Sequence, residues 1–198
     1  ATNQVIDPAI WVEGWSGWAL NRQGVAVKPW TAPMVVSNSF RIEPERGAIR
    51  FWYRPDFSSG IGSGGTATLL ELATVSGGAS EVWRSLVVSP DGSELQLICQ
   101  TESGAESMLQ AEVNWEAGSW HLITLGFTPT NSALFIDDQL AVVGEGLPAI
   151  PSEAASYTSL TIGSAVNGAA PAQGQIEELA VFSGRTRMQQ IIGNAFGQ

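Results

Sequence analysis

Hydrophobic and polar residues alternate along most of this chain, and turn-forming segments interrupt the alternation at short intervals. In GAIRFWYRP, which begins at Gly47, isoleucine, phenylalanine and tyrosine fall on one side of an extended strand, and two arginines and a tryptophan fall on the other. Glycine-rich and Pro-Asp-Gly segments separate such runs, which is typical of many short antiparallel strands. The predicted strands cover 25–28, 34–41, 47–54, 67–75, 81–89, 93–101, 106–113, 119–127, 132–137, 139–143, 158–163 and 173–182.

Two hairpins and one central strand follow from the same pattern. Asp91-Gly92 suits the positive φ angles of a tight hairpin turn, and Asp137-Asp138 is expected to form a second turn of this kind. In WHLITLGF, 120–127, both alternating faces are largely apolar, which predicts a central strand that is covered on both sides. Only 185–193 has a helical pattern, and it predicts one or two turns.

The length of 198 residues predicts a single domain. We expect the tryptophan-rich segment 1–34 to pack on a β-sandwich formed by 35–184, with 185–198 as a short helix and tail. Because the chain opens with Ala-Thr-Asn rather than methionine, it is either processed or excerpted. We expect a secreted or cell-surface protein whose signal peptide has been removed.

Charge and cysteine content exclude several classes of function. The net charge is −10 with only 9 lysine and arginine residues, which argues against nucleic acid and anionic membrane surfaces as partners. No apolar run approaches the roughly 18–20 residues needed to cross a bilayer. The single cysteine, Cys99, shares a strand face with Leu95 and Leu97, so we expect a buried thiol and no internal disulfide.

Four segments, in this order, resemble the LamG-like jelly-roll domains of the concanavalin A-like lectin/glucanase superfamily. They are ERGAIRFWYRPDF at 45–57, GSWHLITLGF at 118–127, SALFIDDQLAV at 132–142 and LTIGSAVNGAAPAQGQIEELAVFSG at 160–184. The resemblance implies an all-β fold, a jelly-roll β-sandwich of two antiparallel sheets. It is specific for the fold and much less so for function, because this superfamily is functionally broad.

The resemblance also implies a calcium site and a glycan-binding surface. LamG-like domains often hold Ca²⁺ at the sandwich edge through an aspartate, and the matching residue here is Glu177, a departure by one methylene. Asn38 or Asn167 would add an oxygen ligand. Carbohydrate recognition on such folds uses aromatic side chains as platforms, for which Trp83 beside Arg84 is one candidate.

Trp52 is a second candidate platform, because it lies between two arginines on one face of its strand. Core packing is the alternative role for Trp83, and packing under a loop is the alternative for Trp52. For His121, which shares a face with Ile123 and Leu125, we expect a structural role rather than catalysis or metal ligation.

The sequence does not indicate an enzyme. Glucanases of this superfamily carry a Glu-x-Asp-x-Glu pattern that places carboxylates on one strand face, and this chain has no such pattern. Glu177 and Glu178 are adjacent, so an unbroken strand would direct them to opposite faces. The first hypothesis is therefore a non-catalytic module that binds glycans or glycoproteins, with calcium as a candidate cofactor. The second is an assembly domain that contacts other domains or subunits.

Overall fold

Two antiparallel sheets pack face to face in the computed structural model, which describes residues 11–13, 18–21, 31–32, 45–62, 64–76, 79–151, 154 and 158–182. The seven-stranded sheet contains, in spatial order, β1 (Trp11–Glu13), β2 (Trp18–Asn21), β13 (Gly174–Phe182), β4 (Gly47–Pro55), β9 (His121–Phe127), β10 (Asn131–Ile136) and β11 (Gln139–Glu145). The six-stranded sheet contains β3 (Thr31–Ala32), β12 (Thr158–Ile162), β5 (Ala67–Ser76), β6 (Ala79–Val88), β7 (Glu94–Thr101) and β8 (Gly104–Glu112).

The predicted sandwich of two antiparallel sheets is confirmed. The predicted strands at 25–28 and 34–41 and the predicted helix at 185–193 lie outside the described residues, and the other ten predicted strands are present with small changes at their ends. Three short strands, β1, β2 and β3, were not predicted. The described part of the chain contains no helix that is long and apolar enough to cross a membrane.

Two of the three amino-terminal strands pair directly with strands of the sandwich. β2 pairs with β1 on one side and with β13 on the other, and β3 pairs with β12 of the six-stranded sheet. Backbone pairing therefore ties the described amino-terminal strands to both sheets. The boundaries of the predicted domain at 35 and 184 stay a prediction.

The core lies between the sheets and is built from alternate residues of each strand. On β4, Ile49, Phe51 and Tyr53 are buried in the core, whereas Arg50 and Trp52 lie on the other face of the strand. Burial of each large apolar side chain stabilises the fold by about 1.5–3 kcal/mol. The predicted alternation in this strand is thus the pattern that divides core from outer surface.

Strand β9 is buried on both faces, as its sequence predicts. It lies between β4 and β10, and its inward residues Ile123 and Leu125 belong to the core. Leu122 and Thr124 face the other way and are also buried. Strand β9 is therefore covered on both faces, whereas the outer side chains of its neighbour β4 are partly exposed.

The two predicted hairpin turns adopt the backbone conformations that their residues favour. Gly92 has a φ of 74°, and a side chain there would collide with the ring of Phe57 at 2.8 Å. Asp137 and Asp138 form the two-residue turn between β10 and β11, with φ values of 54° and 60°. Positive φ at both central residues is the requirement of a type I′ turn.

Ser59 joins three loops at one end of the sandwich. Its hydroxyl donates to the carbonyl of Gly92 at 2.7 Å and accepts from the amide of Trp115 at 2.9 Å. Its own amide donates to the carbonyl of Trp115 at 2.9 Å. The loops after β4, β6 and β8 are therefore held together by one residue.

The turn at Asp137-Asp138 makes a testable prediction about backbone strain. We expect Asp138→Gly to raise the free energy of unfolding by about 0.5–1 kcal/mol, because glycine adopts positive φ without a steric cost. The Arg50–Asp138 ion pair that is lost is exposed and contributes little. Asp137→Gly is the matched control: it must destabilise the protein, because the Asp137 carboxylate accepts from the amide of Leu122. Urea unfolding of both variants is the measurement, and equal effects would contradict the assignment.

The turn at Asp91 predicts a pH dependence of stability. Hydrogen bonds from the Ser89 hydroxyl and from Ser93 lower the pKa of Asp91 from 3.8 to about 2. Because folding lowers this pKa, the stabilisation is complete above the ordinary pKa and is lost as the pH falls through about 2. We expect Asp91→Asn to melt at a lower temperature than the parent at pH 7, and the gap to close between about pH 4 and pH 2. A gap that is constant over this range would overturn the prediction.

Candidate functional site

The outer face of β4 brings together two of the four residues that the sequence singles out for binding. Trp52 of β4 lies directly opposite Glu177 of β13 in the antiparallel register. Arg50 and Arg54 lie two residues to either side of Trp52 and therefore on the same face of the strand. Across from Arg54 lies Gln175, which supplies an amide. We call these five residues the β4 surface.

Arg54 is held in place by the loop that precedes β9. Its Nε donates to the carbonyl of Gly118 at 2.6 Å, and its Nη1 lies 3.5 Å from Oε1 of Gln175. Gly118 has a φ of 83°, and a Cβ at this position would lie 3.3 Å from Nη2 of Arg54. The glycine therefore permits both the turn and the close approach of the guanidinium group. These contacts orient Arg54 before any ligand arrives.

Arg50 is held more loosely. Its Nη2 lies 3.5 Å from Oδ1 of Asp138, and the two side chains are 43% and 76% exposed. An exposed ion pair of this length contributes at most about 1 kcal/mol, because water competes for both partners. A ligand at the β4 surface can therefore displace Asp138 from Arg50 at little cost.

Glu177 is buried at only 7% exposure, although it faces away from the core. The register with β4 shifts between Glu177 and Ala180, and within this irregularity Glu178 has a φ of 52° and is exposed. The two glutamates are therefore separated by a bulge rather than by simple alternation.

The residues around Glu177 do not form a calcium site by themselves. Ca²⁺ takes six to eight oxygen ligands in proteins. No group of three acidic, histidine or cysteine side chains capable of holding a metal ion occurs within the described residues. The ionic side chains that flank Glu177 on this face are arginines, which repel a cation. Calcium at Glu177 stays a prediction.

Trp83 and Arg84 lie in the other sheet, away from the β4 surface. The register between β5 and β6 shifts at Leu72/Ala73, so that Arg84 pairs with Leu72, Val82 pairs with Ala73, and Trp83 is skipped. Trp83 packs against the core, and its Nε1 donates to Oγ1 of Thr74 at 2.8 Å. The alternation of a regular strand, which would place Trp83 and Arg84 on opposite faces, is interrupted by this bulge.

Arg84 is 6% exposed and points into the sandwich. Its guanidinium carbon lies 4.9 Å from the centre of the Phe127 ring, and its Nη2 donates to the carbonyl of Pro148 at 3.0 Å. Burial lowers the pKa of this group, because a charge is less stable away from water. The contacts give Arg84 a packing role, and its role in binding a ligand stays a prediction, as does that of Trp83.

His121 has the structural contacts that the sequence predicts. Its Nδ1 lies 2.9 Å from Oδ2 of Asp137 in the β10–β11 turn. The imidazole stacks on the ring of Trp115, with 5.0 Å between centroids and 18° between planes. Trp115 in turn meets Tyr53 edge to face at 5.8 Å. The histidine thus links the turn to the aromatic part of the core.

Glu71 is a buried carboxylate whose role the sequence does not reveal. It lies on the outer face of the six-stranded sheet, where its Oε2 accepts from the Ser85 hydroxyl at 3.2 Å and its Oε1 accepts from the Val166 amide at 2.6 Å. It therefore holds the β12–β13 loop against the sheet. A single glutamate in an apolar strand carries no sequence signal for a partner that is 95 residues away.

The buried carboxylates do not form a hydrolytic pair. Glu71 and Glu177 are the buried acidic residues of the described chain, and they lie on the outer faces of different sheets. Packed sheets are about 10 Å apart, and these two side chains point away from the interface. Glycoside hydrolysis requires two carboxyl groups about 5–9.5 Å apart in one cleft.

Comparisons with known proteins identify the fold. The Laminin_G_3 family model, described as the concanavalin A-like lectin/glucanases superfamily, matches residues 31–192. Domain 4 of AbnA, a GH43 extracellular arabinanase from Geobacillus stearothermophilus solved with arabinotriose, is 16% identical, with a TM-score of 0.61 over 92% of this chain and 79% of that one. The CBM40 of a Ruminococcus gnavus IT-sialidase, bound to α2,3-sialyllactose, is 14% identical, with a TM-score of 0.53 over 76% of this chain and 82% of that one. A comparison with curated protein sequences returns no match.

The contact between Trp83 and Thr74 is testable by a double-mutant cycle. We expect Trp83→Phe and Thr74→Val each to lower the free energy of unfolding, and the pair to be coupled by about 1 kcal/mol, because the partly buried bond between them is lost in either variant. Thr74→Val also loses the bond from Thr74 to the carbonyl of Ala154, which does not contribute to the coupling. Urea unfolding of the parent, both single variants and the double variant provides the four values. Strict additivity would mean that the indole makes no energetically significant bond to Thr74.

Proposed function

Because this chain belongs to the concanavalin A-like lectin/glucanases superfamily, we propose that it is a non-catalytic module that binds glycans or glycoproteins at the β4 surface. The observation that carries the proposal is the position of Trp52, a half-buried indole between two arginines and opposite a carboxylate on an outer sheet face. Ligand sites combine aromatic surface with a few fixed polar groups, and Arg54 is fixed by its bond to Gly118.

Two structures of similar fold support the choice of ligand class, because each was solved with a sugar bound. At 14–16% identity this likeness concerns the fold alone, so the sugar must be argued from this chain's own residues. Arginine side chains offer hydrogen-bond donors to sugar oxygens. The β4 surface places two arginines on either side of an indole, and the buried Gln175 supports Arg54.

The separation of Glu71 from Glu177 supports the non-catalytic part of the proposal. The proposal also includes a secreted or cell-surface setting. This setting agrees with a composition of few charged and many small polar residues. Charged residues make up only 14% of the chain.

A glycan-binding screen of the purified chain tests the proposed function. We expect saturable binding to a defined sugar, and we expect Trp52→Ala to weaken it at least about ten-fold, because central aromatic residues dominate such interfaces. Gln110→Ala, on the outer face of the other sheet, is the matched control and should bind like the parent. Loss of binding in the Gln110 variant alone would move the site to the six-stranded sheet.

The same screen, repeated in EDTA, tests calcium. Binding that is lost in EDTA and also weakened by Glu177→Gln would support Glu177 as a calcium ligand. If neither EDTA nor Glu177→Gln changes binding, calcium is removed from the proposal. No binding in either buffer by a protein whose circular dichroism is that of a folded β-protein would contradict glycan binding for the sugars tested.

The second candidate function is an assembly domain, and an apolar patch favours it. Leu140 and Val143 are 44% and 49% exposed on β11, and Leu140 pairs with the half-buried Phe135 of β10. Contiguous exposed apolar side chains often mark protein contacts. This function becomes the preferred one if no glycan binds and the protein self-associates in sedimentation velocity experiments.

A further inference from the structure

We propose that the sugar bound beside Trp52 carries an anionic group, a carboxylate or a sulfate ester, which Arg50 or Arg54 binds. The inference rests on the proposed function and specifies its ligand class. It follows from the distribution of positive charge, from the spacing along β4 and from the hydrogen-bonding state of each guanidinium group.

In the described part of the chain, positive charge is scarce and lies mainly at the β4 surface and in the segment just before it. The chain has 19 acidic and 9 basic residues, and four of the basic residues lie in its described part. One of the four, Arg84, points into the sandwich. The other three are Arg46, in the segment before β4, and Arg50 and Arg54, which share one face of β4. Two arginines on one face of β4 in an acidic protein present a local site for an anion.

The spacing of the two arginines suits one sugar residue on Trp52. Residues on the same face of a strand are about 6.6 Å apart, so Arg50 and Arg54 lie about 13 Å apart at their Cα atoms with Trp52 midway. Both side chains are long enough to lean toward the indole. An acidic substituent on a ring stacked at Trp52 is therefore within reach of one guanidinium group or the other.

The guanidinium groups are available to an anion. Arg54 uses Nε for Gly118 and makes only a long contact to Gln175 through Nη1, and its Nη2 makes no hydrogen bond within the described part of the chain. Arg50 has a single 3.5 Å contact to an exposed aspartate. Guanidinium groups donate and never accept, and their strongest partners are carboxylate, sulfate or phosphate oxygens in a bidentate arrangement.

The acidic residues on the same face do not cancel this preference. Glu177 is nearly inaccessible, so a ligand does not meet its carboxylate directly. Asp138 lies in the β10–β11 turn, separated from Trp52 by the intervening strand β9, and its side chain is 76% exposed. An anionic ligand group at Arg50 replaces Asp138. One at Arg54 accepts a hydrogen bond from the unused Nη2.

Isothermal titration calorimetry of the full chain with four probes tests the inference. The probes are lactose, α2,3-sialyllactose, a sulfated lactose and arabinotriose. We expect one or both acidic lactose derivatives to bind at least about ten-fold more tightly than lactose, because one charge-assisted hydrogen bond contributes that much. The two acidic probes distinguish carboxylate from sulfate as the recognised group.

Arginine variants assign the effect to individual side chains. Arg50→Gln or Arg54→Gln should weaken binding of the acidic probe about ten-fold and leave affinity for lactose unchanged. Arg54→Lys keeps the charge and loses the planar guanidinium group, so its affinity for the acidic probe should lie between those of the parent and of Arg54→Gln. Arg46→Gln is the control, since it removes the same charge from the segment before β4. If Arg46→Gln weakens binding of the acidic probe equally, the affinity depends on overall charge rather than on Arg50 or Arg54, and the inference is overturned.

The outcomes separate this inference from the proposed function. If lactose or arabinotriose binds as tightly as the acidic probes and Trp52→Ala loses this binding, the inference of an anionic ligand is overturned. The proposed glycan binding then stands. No binding of any probe would overturn the inference, and the wider glycan screen would then decide the proposed function separately. Thermal melting of each variant verifies that a loss of affinity is not a loss of fold.

Discussion

Strand β4 is paired on both sides, with β13 on one edge and β9 on the other, and this double pairing determines which of its side chains face the core. A shift of one residue in either register would move Phe51 and Tyr53 to the outside and bring the arginines into the interior. Because two buried aromatic residues resist that shift strongly, Trp52 and its neighbours are held on the outer face. The proposed binding surface is therefore a consequence of core packing.

Loop contacts then convert this strand face into an ordered surface. The hydroxyl of Tyr53 donates to the carbonyl of Ala172 at 2.5 Å, and burial raises its pKa, so the hydroxyl stays protonated and keeps donating. Arg54, the next residue, is bound to Gly118 on the opposite face of the strand. Two consecutive residues thus hold loops on both sides of the sheet, which limits the movement of the indole beside them.

The electrostatics of the molecule and the proposed ligand fit together. A net charge of −10 keeps the protein soluble and disfavours nonspecific contact with polyanions, so an acidic sugar must be held by local contacts rather than by long-range attraction. Those contacts are short-range hydrogen bonds from a planar guanidinium group. In the proposed arrangement, specificity comes from two arginines and one indole, while the net negative charge of the protein discourages other anions.

Local patterns in the sequence determined the strands, because a period of two residues is visible without knowledge of any partner strand. The alternation in β4 and the double-sided burial of β9 were predicted on that basis, and the turns at Asp91-Gly92 and Asp137-Asp138 were predicted from the φ angles that their residues tolerate. The tertiary structure alone decided which candidates share a surface, since Trp52 meets Glu177 through a strand that lies 125 residues later in the chain. It also placed Trp83 and Arg84 in packing contacts, because a bulge in β6 breaks the alternation and arises from pairing with β5. Register and bulges depend on contacts between distant segments, and a single sequence carries no local signal for them.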